Sequence, residues 1–400
     1  MERTKTIKRV GVIGGGQLAW MMASAADKLG IELAIQTPNA TDPAADKAAA
    51  LILGAIDDVE ATRQLAKECD AITFENEFVN LEALLELEKQ GVCFRPRLSV
   101  LKPLLDKYHQ RRYLREIGLP VPEFMEWGGE AREPQLIGSH PREETTALLQ
   151  NWPVVMKARR HGYDGQGTVI LRDRETHEAT WDRWGRPTVL LEEFVPFERE
   201  LAVMAARNPS GEIAIYPIVE TQQEQQVCRR VLAPAQLDPQ VGAEINAIAR
   251  KLLESLDAVG IFGIELFLSA EGKVLVNEIA PRTHNSGHLT IDACHTSQFE
   301  MHLRAVCDLP LGDPNFIAAG AVMVNLLGFE HSQDDYRAQR QQMAQVPNAQ
   351  VYWYGKTESR VGRKLGHVTA ILEGKSGKSL YEEGLAKAQT LEKIWYSAAN

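Results

Sequence analysis

Cysteine is scarce in this chain: five in 400 residues, at 69, 93, 228, 294 and 307. Their spacing holds no Cys-x-x-Cys pair and no zinc pattern, so an odd, scattered set reads as reduced, packed thiols of a cytoplasmic protein. Long hydrophobic runs are missing as well. Without a stretch of about 18 apolar residues there is no membrane-spanning helix to read. Residues 1–9 carry charge but no apolar core of a secretory signal. Basic residues are in deficit, 44 Lys and Arg against 54 Asp and Glu, for a net charge of −10. That argues against a nucleic-acid partner, while leaving room for local basic sites that grip a small anion. No G-x-x-x-x-G-K-[ST] occurs, which excludes a Walker loop, and the absence of His-Glu-x-x-His speaks against a zinc enzyme of that type. What remains is ordinary for a soluble globular protein: 44% hydrophobic and 24% charged. Four hundred residues exceed one hydrophobic core, so two or three domains are expected.

The first hundred residues alternate strand and helix. Arg9-Val10-Gly11-Val12-Ile13 is a short apolar strand, Gly14-Gly15-Gly16 a turn, 17–29 a helix, and 31–36 a second strand. A helix capped by Asp57 or Asp58 runs through Glu68, followed by strand 71–74, helix 81–89 and strand 92–94. This order predicts a parallel sheet covered on both faces. Gly14-x-Gly16-x-x-Ala19 is a loose dinucleotide fingerprint, but the acid expected after the second strand is replaced by Gln36-Thr37-Pro38. The turn could equally serve a phosphate-bearing substrate or be structural. At the end of strand 71–74, where open α/β sheets bind ligands, stand two acids. Glu75 reads as ligand-facing, Glu77 as solvated or capping the next helix.

Residues 98–117 read as one long basic helix, and 128–150 as an irregular connection. Then Val154-Val155-Met156-Lys157 leads into Gly162-Tyr163-Asp164-Gly165-Gln166-Gly167-Thr168 and a second strand. Such a hairpin can close its backbone N–H groups over phosphates, with Lys157 as a point charge, or can be merely a flexible turn. Strand 190–195 ends in Glu192-Glu193-Phe194-Val195, followed by Glu200. Residues 200–220 form a hairpin about Asn208-Pro209-Ser210-Gly211, and 238–259 an amphipathic helix. Glu265 and Glu278 then sit in opposed apolar strands. Two buried carboxylates repel unless a divalent cation joins them; oxygen donors of this kind suit Mg²⁺, and the alternative is an edge hairpin with both acids in water. Ser297-Gln298-Phe299-Glu300 is a capping box. Short strands at 320–325, 350–354 and 367–372 close the chain, with a basic cluster from Lys356 to Lys364.

In that order, the lysine-backed glycine hairpin, the 190–195 segment and the Glu265…Asn277-Glu278 hairpin resemble the ATP-grasp superfamily. The match narrows through Phe74-Glu75-Asn76-Glu77, RRHGYDGQGT at 159–168, NEIAPRTHNSGH at 277–288, TSQFEMHLRAV at 296–306 and YGKTESRVGRKLGH at 354–367. Together these are similar to the N5-carboxyaminoimidazole ribonucleotide synthase family of purine biosynthesis, over nearly the whole chain outside 128–150. The resemblance implies α/β and α+β architecture: a Rossmann-like pre-ATP-grasp domain (1–98), an ATP-grasp domain (99–308, lid about 151–198) and a small, mainly β C-terminal domain (309–400). It implies ATP-dependent carboxylation of 5-aminoimidazole ribonucleotide by bicarbonate through carboxyphosphate, in a cytoplasmic homodimer; another ATP-grasp carboxylate–amine ligase is the alternative.

Carried over residue by residue, the resemblance implies ATP contacts at Lys107, Lys157, Gly162, Tyr163, Asp164, Gly165, Gln166, Gly167, Thr168, Glu192, Glu193, Phe194, Val195, Glu200, Gln223, Asn277 and Glu278. Glu265 and Glu278 would hold Mg²⁺. Gly16, Gln17, Leu18, Glu75, Tyr163, Asp164, Lys356 and Arg363 would bind the ribonucleotide. Arg282 and His284 would hold bicarbonate or carboxyphosphate, and with Glu75, Tyr163 and Asp164 they complete the implied catalytic set. Two positions depart from the family: Lys107 stands where Arg is common, and Gln223 where His is frequent. Lysine keeps the charge but loses the planar fork.

Overall fold

The structure, a computed structural model, describes residues 7–128, 148–160, 162, 167–374 and 377–398. Most of the irregular 128–150 segment, and four residues of the glycine hairpin (163–166), lie outside the described residues.

Alternation at the N-terminus gives the parallel sheet it predicts. Strands β1 (Arg9–Ile13), β2 (Glu32–Thr37), β3 (Ala50–Leu53) and β4 (Ala71–Phe74) lie in the order β3-β2-β1-β4, all parallel. Helix Gln17–Leu29 starts directly after Gly16 and stops at Gly30, whose φ of 64° is a left-handed cap. Asp58 caps helix Val59–Glu68, accepting from the N–H groups of Glu60 and Ala61. Strand β3 has no counterpart in the sequence reading; it is an edge strand whose Leu51 and Leu53 point outward. The strand expected at 92–94 is reduced to a single parallel bridge between Ile72 and Phe94.

The expected long helix at 98–117 is two helices, Leu98–Leu101 and Lys107–Glu116. Pro103 cannot donate to the helical ladder, and Asp106 restarts it by accepting from Tyr108 and His109. A second sheet follows, antiparallel, ordered β5 (Phe124–Trp127), β8 (Val189–Glu193), β6 (Val154–Ala158), β7 (Thr168–Leu171). The glycine hairpin joins β6 to β7 with Lys157 opposite Thr168. Val154, Met156, Leu171, Val189 and Leu191 form a small core of their own behind it. The edge strand β5 carries this sheet further back in sequence than the lid limits read from the motifs.

Among the described residues the third sheet has nine strands, ordered β14-β13-β9-β11-β12-β15-β17-β16 with β10 beside β9. Their bounds are β9 Phe197–Arg207, β10 Ile213–Ile215, β11 Val219–Glu224, β12 Val227–Ala233, β13 Gly260–Ser269, β14 Val274–Ala280, β15 Gly320–Leu327, β16 Ala349–Trp353 and β17 Lys364–Leu372. Helix Pro239–Leu256 packs Ile245, Ile248, Leu252 and Leu253 against β9 and β13. Ser297 caps helix Gln298–Val306 as expected, but Glu300 turns to Arg304 at 2.8 Å, leaving the box half formed. The C-terminal strands enter through β12–β15 pairing, Arg230 opposite Val324. Helix Lys378–Trp395 covers them, with Trp395 fully buried and its Nε1 donating to Leu327 O at 2.8 Å. The three-domain architecture therefore stands, with the central and C-terminal domains sharing one continuous sheet.

Candidate active site

All three sheets contribute to one cleft of about 1730 Å³. It lies between the carboxyl ends of β1 and β4, the hairpin sheet, the β13–β14 edge of the central sheet and the loop 355–363. Of the described residues singled out from the sequence, only Gly16 and Gly167 do not line it.

The hairpin end is built on a buried charge triad. Glu192, on β8, is 3% exposed and pairs with both Lys157 (2.6 Å) and Arg111, itself 2% exposed. Burial would push the Glu192 carboxyl up, but the two cations outweigh it and hold it at about 2. Burial lowers Lys157, and Glu192 opposes that shift. Lys157 also donates to Asn277 Oδ1 at 3.2 Å. The Glu192 carboxylate is thus taken by cations, while the residue itself lines the cleft. Glu193, Phe194 and Val195 continue the wall, with Gly162 and Thr168 across the hairpin. Gly167 closes that hairpin, its carbonyl accepting from Ala158 N–H at 2.7 Å. Glu200 sits opposite, raised to about 7 by burial and by Glu265, with Gln223 hydrogen-bonded to it.

Glu265 and Glu278 are direct cross-strand neighbours on β13 and β14. Strand β14 is the sheet edge, and the two side chains face the cleft at 28% and 40% exposure. The expectation of two carboxylates sealed among apolar residues is corrected: each is hydrated in part and has its own side-chain partner. Lys107 reaches Glu278 Oε1 at 2.6 Å. His284 Nε2 reaches Glu265 Oε1 at 3.2 Å, and Asn277 Nδ2 donates to Glu265 Oε2 at 3.4 Å. Burial opposes ionisation of Glu265, but the His284 hydrogen bond and charge outweigh it and lower its pKa. Two carboxylates in register make an oxygen-donor pair of the kind a divalent cation takes.

At the opposite end, Glu75 leaves β4 and lies over the glycine turn. A Cβ at Gly14, where φ is +109°, would come 2.6 Å from Glu75 Oε2, and one at Gly16 would collide with Oε1. Gly14 is thus held by its positive φ as well as by crowding from Glu75 and Asn76, and at Gly16 a side chain would displace the Glu75 carboxylate. Burial raises Glu75; Arg282, the Asn76 amide, the Leu18 N–H and Lys356 restrain the rise. Gln36, where a dinucleotide site needs its acid, is fully buried and donates to the carbonyls of Ala55 and Asp58. It braces helix to strand and faces no ligand. Gln17 and Leu18 line the cleft beside Glu75, as do Lys356 and Arg363 from the C-terminal loop. Arg363 Nη1 is held by Glu358 O at 2.7 Å.

Glu77 does something the sequence reading did not foresee. It neither caps a helix nor faces bulk water. Asn80 caps helix Leu81–Lys89, while Glu77 accepts from Arg282 Nε at 2.6 Å and Nη2 at 3.2 Å. Arg111 was missed as well. It sits in a strongly polar helix, and no periodicity distinguishes a buried arginine from a solvated one. Tyr163, Asp164, Gly165 and Gln166 lie outside the described residues. Cations, Lys107, Lys157, Arg282, Lys356 and Arg363 among them, thus line a cleft with a carboxylate pair midway, which suits two phosphate-bearing ligands meeting at one centre.

Domain-family models match in the same sequence. A ribonucleotide synthetase preATP-grasp domain matches residues 7–102, an ATP-grasp domain 112–299, and a phosphoribosylaminoimidazole carboxylase C-terminal domain 321–377. The chain is 51% identical over 389 residues to the N5-carboxyaminoimidazole ribonucleotide synthase of Synechococcus elongatus, covering 97% of this chain and 96% of that one. The chain belongs to the N5-carboxyaminoimidazole ribonucleotide synthase family. A Synechocystis synthase of this family is 48% identical over 401 residues, covering 97% of this chain and 98% of that one. The solved ADP complex of one N5-carboxyaminoimidazole ribonucleotide synthetase superposes with a TM-score of 0.86 at 32% identity, over 99% of this chain and 100% of that one. The Aspergillus clavatus synthase, in complex with ADP and 5-aminoimidazole ribonucleotide, gives 0.85 at 30% identity, over 97% and 98%. Membership in the N5-carboxyaminoimidazole ribonucleotide synthase family makes this chain a ligase of an ATP-dependent step in purine biosynthesis.

Proposed function

We propose that the cleft carboxylates 5-aminoimidazole ribonucleotide with bicarbonate and ATP, giving N5-carboxyaminoimidazole ribonucleotide, ADP and phosphate through carboxyphosphate. The observation that supports this most directly is the continuity of one cleft from Lys157 and Glu200, past Glu265 and Glu278, to Glu75, Lys356 and Arg363. Bicarbonate is a poor electrophile, and phosphorylation gives its carbon a leaving group. Lys157, Glu192 to Val195 and Glu200 bind ATP, and the hairpin motif 162–168 supplies contacts to its phosphates. Arg282 and His284 hold the bicarbonate between the two ends. His284 donates from Nε2 toward Glu265, its ring turned by Ser286 Oγ at 2.9 Å from Nδ1. Glu75 meets the ribonucleotide over Gly16, Gln17 and Leu18, and Lys356 with Arg363 grips its 5′-phosphate.

Glu265 and Glu278 fit Mg²⁺ by donor chemistry and register and would hold it, and it would supply charge neutralisation at the transferring phosphoryl group. Lys107, paired with Glu278 and lining the cleft, is an ATP contact in this reading. Domain limits at 98/99 and 308/309, a cytoplasmic location and a homodimer complete the reading; size-exclusion chromatography checks the last.

The test is ADP release from Mg-ATP and bicarbonate with and without 5-aminoimidazole ribonucleotide. Turnover that requires the ribonucleotide and consumes its free amine is the expected result. ATP turnover indifferent to the ribonucleotide would overturn the acceptor assignment and point to another carboxylate–amine ligase of the same fold.

A further inference from the structure

Arg282 carries five N–H donors in one plane. Glu77 takes two of them, Nε at 2.6 Å and Nη2 at 3.2 Å, and the carbonyl of Thr283 takes one from Nη1 at 3.1 Å. Two N–H groups are left, one on each terminal nitrogen. The pair joins distant parts of the chain: Glu77 follows β4 in the N-terminal sheet, and Arg282 follows β14 in the central sheet, 205 residues later. Both side chains are largely buried, at 24% and 19% exposure, where a bidentate pair is firm. Other charges surround it. Glu75 and Glu278 act on Arg282, and Lys107 acts on Glu77. Glu77 is the acid in contact.

We infer that Glu77 is a positioning residue for bicarbonate: by occupying one side of the Arg282 fork it fixes the guanidinium plane and leaves a single two-donor face for a small oxyanion. The inference rests on the reading that Arg282 meets bicarbonate. A lone arginine in this cleft would present its full fork to any oxyanion, including ATP phosphates and product phosphate, and its long side chain would be free to swing toward them. The Glu77 pair removes both options. It offsets the charge that would otherwise favour a polyanion, and it ties the bicarbonate position to the sheet that also carries Glu75. The carboxyl donor and the acceptor amine are thereby set from the same element, as reaction at a fixed distance requires.

The test measures KM separately for bicarbonate, ATP and 5-aminoimidazole ribonucleotide in ADP release by the full-length enzyme. Glu77→Gln keeps the size of the side chain but turns one of its two acceptors into a donor facing the arginine. It is expected to raise the bicarbonate KM tenfold or more while the ATP KM stays within twofold. Glu77→Asp keeps the charge one methylene short and is expected to fall between, so the inference stays testable if Glu77→Gln folds poorly. Equal rises in all three KM values, or an unchanged bicarbonate KM, would overturn the positioning role. Arg282→Ala separates the two layers. If it raises the bicarbonate KM and Glu77→Gln does not, the inference about Glu77 alone fails. If Arg282→Ala leaves that KM unchanged, the assignment of Arg282 falls, and the inference with it.

Discussion

Buried charge is where single residues matter most in this molecule. Removing an ion from water costs several kcal/mol, and only a partner with good geometry offsets it. Glu192 is that partner for two cations at once, Arg111 and Lys157. Glu192→Gln strands both, and the expected loss is about 3–5 kcal/mol of stability, read from urea unfolding; a loss below about 1 kcal/mol would mean the pocket hydrates Arg111. Glu278 presents the opposite case. It is 40% exposed on an edge strand, so its charge does little for folding. Glu278→Gln should therefore abolish ATP turnover while the melting temperature holds. Near-normal turnover in that variant would sink the metal assignment.

Elements are locked to each other by buried histidines. His302, on helix Gln298–Val306, accepts from Ile261 N–H of β13 at 3.1 Å and lies 2.8 Å from Thr73 Oγ1 of β4. Its Nδ1 is an acceptor there, so the ring is neutral with Nε2–H facing Thr73. Burial pulls its pKa from 6.5 down to about 4. The folded pKa lies below the unfolded one, so this contribution is complete above about pH 6.5 and is lost as pH falls toward 4. Each pH unit in that window removes about 1.4 kcal/mol per histidine. His367, held at about 3 beside Tyr354, and buried His288 act in the same direction. Unfolding free energy should fall steeply between pH 6.5 and 4.5, and His302→Gln, whose amide can make both contacts, should flatten that slope by about one proton. An identical slope in the variant would show that His302 is not among the groups responsible.

At the scale of the whole molecule, the central and C-terminal parts are one sheet. Every residue of β15 is buried, between β12 and β17. Ending the chain at residue 308 would strip β12 of its neighbour and expose a long apolar edge, a template for aggregation. The expected outcome is insoluble or oligomeric material by light scattering, and a monodisperse, cooperatively folding 1–308 fragment would overturn it. The same continuity brings the basic loop 355–363 over the cleft, and its hold on Arg363 through Glu358 O is local to that loop. The described helices include none long and apolar enough to cross a membrane.

Local patterns needed only the sequence. Alternating apolar runs, the Asn208–Gly211 turn and the Lys157 hairpin are written within a few residues of each other, because periodicity and turn chemistry act at that range. The order of Lys157, Glu192, Glu265, Asn277 and Glu278 carried the ATP-grasp likeness for the same reason. Where local rules competed, reading along the chain failed: Pro103 split a helix that composition alone prolonged, and the half-exposed strand β3 gave too weak a signal. Tertiary structure alone decided the partners. Glu77 with Arg282, Glu192 with Arg111 and His302 with Thr73 join residues 81 to 229 positions apart. A charged side chain reads the same in sequence whether it is solvated or buried. Only the packing of distant elements fixes which charge it meets and how much water remains, and those two quantities set its chemistry.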